Sequence, residues 1–277
     1  MIAAALARAT ARLAAHSDSA RLDAELLLAQ VLGLERGRLL ARSEQPLGEA
    51  PAHAFEALIE RRARGEPVAY LLGRREFWTL TLEVDAAVLV PRPETELLVE
   101  LALARLPAGP ARVLDLGAGS GAIGLAIARE RPAARVDLVD ASATAVAVAE
   151  RNRTRLGLGN ARTLNGDWYS PVAGERYQVI VANPPYLADT DVLCAASGLA
   201  FEPRAALIAG PVGLEALEAI TAGALSHLVP SGVLILEHGA AQGAACRLLL
   251  GAAGLASIET HRDLAALERA TLGVNPG

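Results

Sequence analysis

The sequence predicts an α/β protein in which a small all-helical bundle precedes a doubly wound, mostly parallel sheet. From about residue 111, strand-like and helix-like segments alternate, the order that lays helices on both faces of a parallel sheet. Residues 1 to about 72 carry helical periodicity alone. Between these regions the period changes to that of strands, which reads as a β-hairpin. The expected division is a bundle over 1–72, a hairpin linker over 73–92 and the α/β domain over 93–277.

In the first region, Asp18 or Ser19 can cap a helix whose apolar residues Leu22, Leu26, Leu27 and Val31 recur at helical spacing, with Gly33 as its stop. Another helix runs from about Ala52, with Phe55, Leu58 and Ile59 on one face, to Arg61-Arg62-Ala63-Arg64-Gly65. Short helices with brief connections pack as a bundle. Arg61, Arg62, Arg64 and Arg74 form either a solvated face or a grip for an acidic partner.

From Glu76 the stretch Phe77 to Val84 alternates as a strand does, and Val88-Leu89-Val90 follows after a turn. Pro91-Arg92-Pro93-Glu94-Thr95-Glu96 then opens a helix, because proline and acidic residues suit a first turn. Strands are expected at Val113–Leu116, Val136–Asp140, Ala161–Leu164, Tyr177–Ala182 and Val233–Glu237. Helices are expected at Ala122–Arg129, Ala143–Arg155 and Gly213–Leu228. In such sheets ligands sit beyond the carboxyl ends of the strands, where the strand order reverses. Gly117 and Asn183 both fall at that edge.

Composition narrows the function classes. The 277 residues allow one or two domains with an ample core. Apolar residues make up 52% and aromatics only 3%, so the core is Leu, Val and Ala. All 26 basic residues are arginine, which excludes a lysine nucleophile or Schiff base. A net charge of −5 argues against a duplex-DNA binder, which carries a basic footprint. Cys194 and Cys246 lie far apart without ligand spacing and read as ordinary thiols of a cytoplasmic protein; no metal site is expected. The N-terminus lacks the layout of a signal peptide, and no apolar run reaches about 18 residues.

Asn183-Pro184-Pro185-Tyr186 follows the apolar run Val179-Ile180-Val181-Ala182. Both prolines have φ locked and carry no N–H, and a residue before proline is held extended. The Asn183 side-chain oxygen and the Pro184 carbonyl can therefore face one small volume, beside the Tyr186 ring, that suits a planar NH2 group. Alone, such a tetrapeptide is also an ordinary proline turn ending a strand.

Asp115-Leu116-Gly117-Ala118-Gly119-Ser120-Gly121-Ala122 leaves a strand and enters a helix. Its glycines allow close approach of the backbone to a ligand. Taken alone they fit GxGxG and, with Ala122 in the last place, also the GxGxxG/A dinucleotide fingerprint. Asp140 ends the next strand, where a ribose diol needs a carboxylate. Gly166-Asp167-Trp168 supplies an acid and an aromatic for an adenine amino group and face. Ribose and adenine recognition beside an NH2 trap, without a clear phosphate requirement, points to S-adenosylmethionine rather than NAD.

These residues resemble class I S-adenosylmethionine-dependent methyltransferases that modify exocyclic or amide nitrogens. Gly65-Glu66-Pro67-Val68-Ala69-Tyr70-Leu71, Arg75-Glu76-Phe77-Trp78 and Leu89 to Glu96 narrow the resemblance to the HemK-type glutamine N5-methyltransferases. Phe201-Glu202-Pro203, Ala206-Leu207 and Glu237-His238-Gly239 agree. Ile208 to Gly213 and Asp263 to Arg269 depart from the family pattern, in peripheral segments.

The resemblance implies a Rossmann-like methyltransferase domain, and a helical domain that recognises the substrate protein. It implies methylation of the Gly-Gly-Gln glutamine of class 1 peptide chain release factors by a cytoplasmic monomer without nucleic-acid or membrane binding. Cofactor-binding roles fall on Gly117, Ala118, Gly119, Ser120, Gly121, Asp140, Asp167, Trp168 and Asn183. Asn183, Pro184 and Tyr186 are the catalytic set, with Pro185 completing the substrate contact. His238, Glu237 and Arg92 are expected to be structural. The alternatives are an adenine-N6 nucleic-acid methyltransferase, which shares the Asn-Pro-Pro-Tyr, a non-catalytic nucleotide-binding module and a dinucleotide oxidoreductase.

Overall fold

A computed structural model describes residues 1–191 and 198–277; Cys194 lies outside the described residues. The chain forms two compact units, one of Met1–Arg74 with residues 198–201 and one of Arg75–Asp191 with Glu202–Gly277.

The first unit holds helices α1 (Ile2–Leu13), α2 (Ala20–Leu32), α3 (Arg36–Leu40), α4 (Glu49–Ala63) and α5 (Val68–Leu72). Its core gathers Leu6, Leu13, Leu27, Leu28, Phe55 and Ile59. Helix α2 stops where expected, at Gly33 with φ +61°, a torsion glycine adopts without penalty. Its buried face is turned from the expected one: Ala24, Leu27 and Leu28 are buried while Leu22 is exposed. The cause is polar. Asp23 is buried and accepts from the Ser17 and Ser19 hydroxyls and from Arg62 Nε, so its neighbours on that face go inward with it. Arg61 pairs with Glu66 and Arg74 donates to the Gln30 side-chain oxygen. Three of the four arginines are thus engaged within this unit.

The second unit opens at Arg75, within β1 (Arg74–Phe77), and continues with β2 (Leu80–Glu83). The expected strand from Phe77 to Val84 is broken at Trp78, whose φ is +55°. Two distant carboxylates hold it there: Glu96 accepts the Trp78 backbone N–H at 2.8 Å and Glu130 the indole N–H at 2.9 Å. The hairpin therefore turns at Trp78-Thr79, and Val88-Leu89-Val90 is loop.

There follow α6 (Glu96–Arg105), β3 (Ala111–Leu116), α7 (Ala122–Glu130), β4 (Ala134–Asp140), α8 (Ala143–Leu156), β5 (Ala161–Asn165) and β6 (Tyr177–Ala182). After β7 (Leu187–Ala188) and β8 (Ile208–Gly210) come α9 (Glu215–His227), β9 (Leu228–Glu237), α10 (Gly243–Ala252), β10 (Ala256–Arg262) and β11 (Glu268–Val274). The main sheet has the order β10-β11-β9-β6-β3-β4-β5. The strands from β9 to β5 are parallel, while β11 and β10 are antiparallel additions at one edge. No described helix is long and apolar enough to cross a membrane.

Alternation along the strands makes two cores. Val113, Val179, Val181 and Ile235 pack with Leu98, Val99 and Ile127 on one face. Leu114, Leu116, Ile180, Leu234 and Leu236 pack with Leu217, Ile220 and Leu250 on the other. Each fully buried leucine of this kind contributes roughly 1.5–3 kcal/mol of transfer free energy. Strands buried on both faces read as continuous apolar runs, as Val179 to Ala182 does. The strand order reverses between β3 and β6, which pair with Leu116 opposite Ala182. Gly117 and Asn183 therefore leave adjacent strands at the same level.

Candidate active site

A cleft of about 260 Å³ opens at this reversal point. It is bordered by Gly117, Ala118, Gly119 and Ser120 of the β3–α7 loop, by Asp140 after β4, and by Asp167 and Trp168 after β5. Asn183, Pro185, Val88, Leu89 and Arg92 also line it.

The loop owes its shape to its glycines. Gly117, Gly119 and Gly121 have φ of +70°, +55° and +84°, a region costly to residues with a Cβ. A Cβ on Gly117 would stand 3.7 Å from Trp168 Cζ3 and 4.0 Å from the Asn183 carbonyl oxygen, so it would project into the gap between those residues. The loop is pinned at both ends. The Gly117 and Ala118 N–H groups donate to the Val139 carbonyl at 2.9 and 3.0 Å. Gly119 N–H donates to Asp140 Oδ2 at 2.8 Å, and Ser142 N–H to Oδ1 at 2.9 Å. Behind the loop, Asp115 is fully buried and its Oδ2 accepts the Gly124 N–H at 2.8 Å. Burial pushes its carboxyl up to about 7, with the nearby Asp140 charge adding to the shift.

Trp168 adopts φ +39°, an uncommon torsion for a bulky residue and one often found at functional sites. Its ring packs partly against the sheet core while bordering the cleft. Asp167 beside it is exposed.

Asn183 is half-buried, and its Nδ2 donates to Thr95 Oγ1 at 3.1 Å. That bond uses the donor end of the amide and leaves the oxygen for another partner. Thr95 is itself buried and borders the cleft. In the sequence Thr95 is marked only by its place within Pro91 to Glu96. Pro184 is buried behind Asn183, and neither it, Gly121 nor Tyr186 borders the cleft. Tyr186 lies by Gly239, whose added Cβ would be 3.7 Å from Tyr186 Cδ2. Burial raises its hydroxyl pKa, with the Glu237 charge contributing, so it stays neutral.

The three residues expected to be structural have evident partners. His238 is buried, with Nδ1 2.9 Å from the Gly239 carbonyl and Nε2 2.8 Å from Thr271 Oγ1. Burial lowers its pKa; the neutral ring donates through Nδ1 and accepts through Nε2. Arg92 pairs with Glu202, which also accepts the Val90 N–H at 3.1 Å. Glu237 is buried at the end of β9 beside Thr95 and Asn183.

The arrangement offers a nucleoside-sized cleft with a carboxylate and an indole, next to a rigid amide oxygen. Known proteins match this chain along most of its length. Residues 4–73 match the PrmC N-terminal domain and residues 93–202 the methyltransferase small domain. The release factor glutamine methyltransferase of Xylella fastidiosa (strain 9a5c) is 50% identical over 258 residues, 93% of this chain and 94% of the relative. Its counterpart in Escherichia coli is 45% identical, covering 93% of both chains. Among solved structures, a methyltransferase from Pyrococcus furiosus superposes with a TM-score of 0.56 at 18% identity, covering 78% of this chain and 98% of the other. That likeness concerns the fold, a Rossmann-like class I methyltransferase sheet. Identity of this extent, across the helical unit as well as the sheet, shows that the chain belongs to the release factor glutamine methyltransferase family.

Proposed function

We propose that this protein transfers the methyl group of S-adenosylmethionine to the side-chain amide nitrogen of the Gly-Gly-Gln glutamine in class 1 peptide chain release factors. The observation that carries the proposal is Asn183, which borders the cleft shared by Gly117, Asp140 and Trp168 and has its donor end already bonded to Thr95.

The cleft fits the cofactor in kind. Asp140 at the strand end suits a ribose diol, Asp167 and Trp168 suit an adenine amino group and face, and Gly117 leaves open the gap between Trp168 and Asn183 into which a Cβ would project. When bound there, S-adenosylmethionine supplies an electrophilic methyl group on a sulfonium.

The chain's own part is to make an amide nitrogen attack. Such a nitrogen is a poor nucleophile because its lone pair is shared with the carbonyl, the resonance behind the ~18–20 kcal/mol barrier to peptide rotation. As transfer proceeds the nitrogen gains positive charge. The Asn183 oxygen and the Pro184 carbonyl accept its two N–H bonds and stabilise that charge. They reorganise little, since two prolines and Thr95 fix them. One preorganised acceptor of this kind is worth about 3 kcal/mol, and correct placement of the reactants about 7–11 kcal/mol. Tyr186 does not border the cleft itself but follows them in the chain and is neutral; in this reading its ring packs against the amide plane of the bound glutamine, and the ring face favours positive charge. The protonated amide is strongly acidic and loses its proton to water, so no side-chain base is required and His238 keeps its structural bonds.

The helical unit recognises the release factor in this proposal, and the chain acts as a cytoplasmic monomer on a protein rather than on nucleic acid. Support comes from family membership and from the acidic net charge of −5. The test is mass spectrometry of the Gly-Gly-Gln peptide after incubating a release factor with this protein and S-adenosylmethionine. One added methyl, about 14 Da, on the glutamine is expected; methylation of DNA adenine instead would overturn the proposal.

A further inference from the structure

Resting on the function proposed above, we infer that Thr95 and Glu237 are positioning residues that set the polarity of the Asn183 amide, so that its oxygen rather than its NH2 faces the incoming substrate.

The sheet brings the three together. In the β6–β9 pair, Ala182 stands opposite Leu236, which puts Asn183 and Glu237 side by side one residue further on. Val181 and Ile235, two residues before them, point to the face that carries α6, and side chains along a strand repeat every second residue. Thr95 precedes α6 on that same face. It is 4% exposed and Glu237 is 2% exposed. The Glu237 carboxyl interacts with the side chains of both Thr95 and Asn183.

Donor counting gives the direction. An asparagine amide has a donor end and an acceptor end, while threonine has one proton to give. Asn183 Nδ2 donates to Thr95 Oγ1, which leaves the Thr95 proton to donate elsewhere. A carboxylate can only accept, so an ionised Glu237 takes that proton and locks the order Asn183 to Thr95 to Glu237. A protonated Glu237 donates instead. The threonine proton then turns toward Asn183, which is satisfied by presenting its oxygen inward and its NH2 to the cleft. A donor would then meet the donors of the substrate amide, and the acceptor for the developing charge would be lost. This ionisation falls in an accessible range. Burial raises the Glu237 carboxyl to about 7, against the Thr95 and Asn183 bonds and the Arg269 charge, and Glu94 raises it further. Tyr186, the other titratable neighbour, stays neutral because burial and Glu237 raise its pKa. Glu237 Oε2 is buried with no hydrogen-bond partner among the described residues, so little besides this network holds the charge.

The test uses the full chain with Thr95→Val, Thr95→Ser and Glu237→Gln, and reads two properties. In the cofactor-free protein, the Asn183 side-chain NH2 resonances are followed by NMR against pH. In the wild type they should shift with a midpoint near 7, the value of Glu237, and in Glu237→Gln they should not. For methyl transfer to a release factor, wild-type kcat should rise with pH through the same range, and Glu237→Gln should flatten that rise. Thr95→Val should lower kcat about tenfold or more with S-adenosylmethionine affinity close to wild type, and should lower Tm because it strips buried partners from Asn183 and Glu237. Thr95→Ser, which keeps the hydroxyl, should restore kcat. Asn183 resonances insensitive to pH in the wild type, or wild-type kcat in Thr95→Val, would overturn the inference. Should the wild type transfer no methyl to the release factor, the proposed function fails, and the NMR arm still decides the positioning role.

Discussion

Gly119 donates its backbone N–H to Asp140 Oδ2 at 2.8 Å, so the loop after β3 is fastened to the end of β4 by a charged acceptor. The other carboxylate oxygen takes the Ser142 N–H at 2.9 Å, at the start of α8. One side chain thus organises two turns that border the cleft.

Asp140→Ala should therefore act in two ways. It removes two bonds to a charged acceptor, each worth about 1.5–3 kcal/mol, reduced here because Asp140 is partly exposed. It also removes the group placed to bind the ribose. Calorimetry is expected to show S-adenosylmethionine affinity at least about tenfold weaker, together with a lower Tm.

Gly117→Ala tests the space beside Asn183 and Trp168. The φ of +70° costs an alanine about 1–2 kcal/mol. The new methyl would lie in ordinary contact with Trp168 Cζ3 at 3.7 Å, so no clash adds to that cost. The expected outcome is a folded protein with modestly lower Tm and clearly weaker cofactor binding. Unchanged affinity by titration would mean that the cofactor does not lie against Gly117.

Much of this site was legible because its signals are local. A glycine loop after a strand, an acid ending the next strand and two prolines after an apolar run each carry their meaning within a few residues. The partners of Asn183 do not. Thr95 lies 88 residues away, and only the sheet register brings Glu237 beside both. The fold divides the same way. Strands buried on both faces show as apolar runs, whereas the turn at Trp78 is imposed by Glu96 and Glu130 from elsewhere in the chain. Strand β10 carries no such signal, for a third reason. Edge strand β10 is largely exposed, with no buried residue between Ala256 and Arg262, so no apolar alternation marks it.

Asp115 supplies a prediction in pH. Its folded carboxyl titrates at about 7 against an ordinary 3.8, so between these values the folded protein holds a proton that the unfolded chain has released. Stability contributed at this position is therefore full at low pH and falls as pH rises through that window. Asp115→Asn keeps an acceptor for the Gly124 N–H and carries no charge. Thermal melts should show the variant gaining in Tm relative to wild type on going from about pH 5 to about pH 8. A constant difference between the two proteins would mean that Asp115 titrates normally.

The most direct test of the central claim, that the Asn183 oxygen stabilises the amide nitrogen as it accepts the methyl group, is the kinetics of Asn183→Ala on a release factor, measured with its affinity for S-adenosylmethionine. In Asn183→Ala, kcat should be lower by about 100-fold or more, with affinity reduced far less. Turnover at the wild-type rate in that variant would contradict the claim.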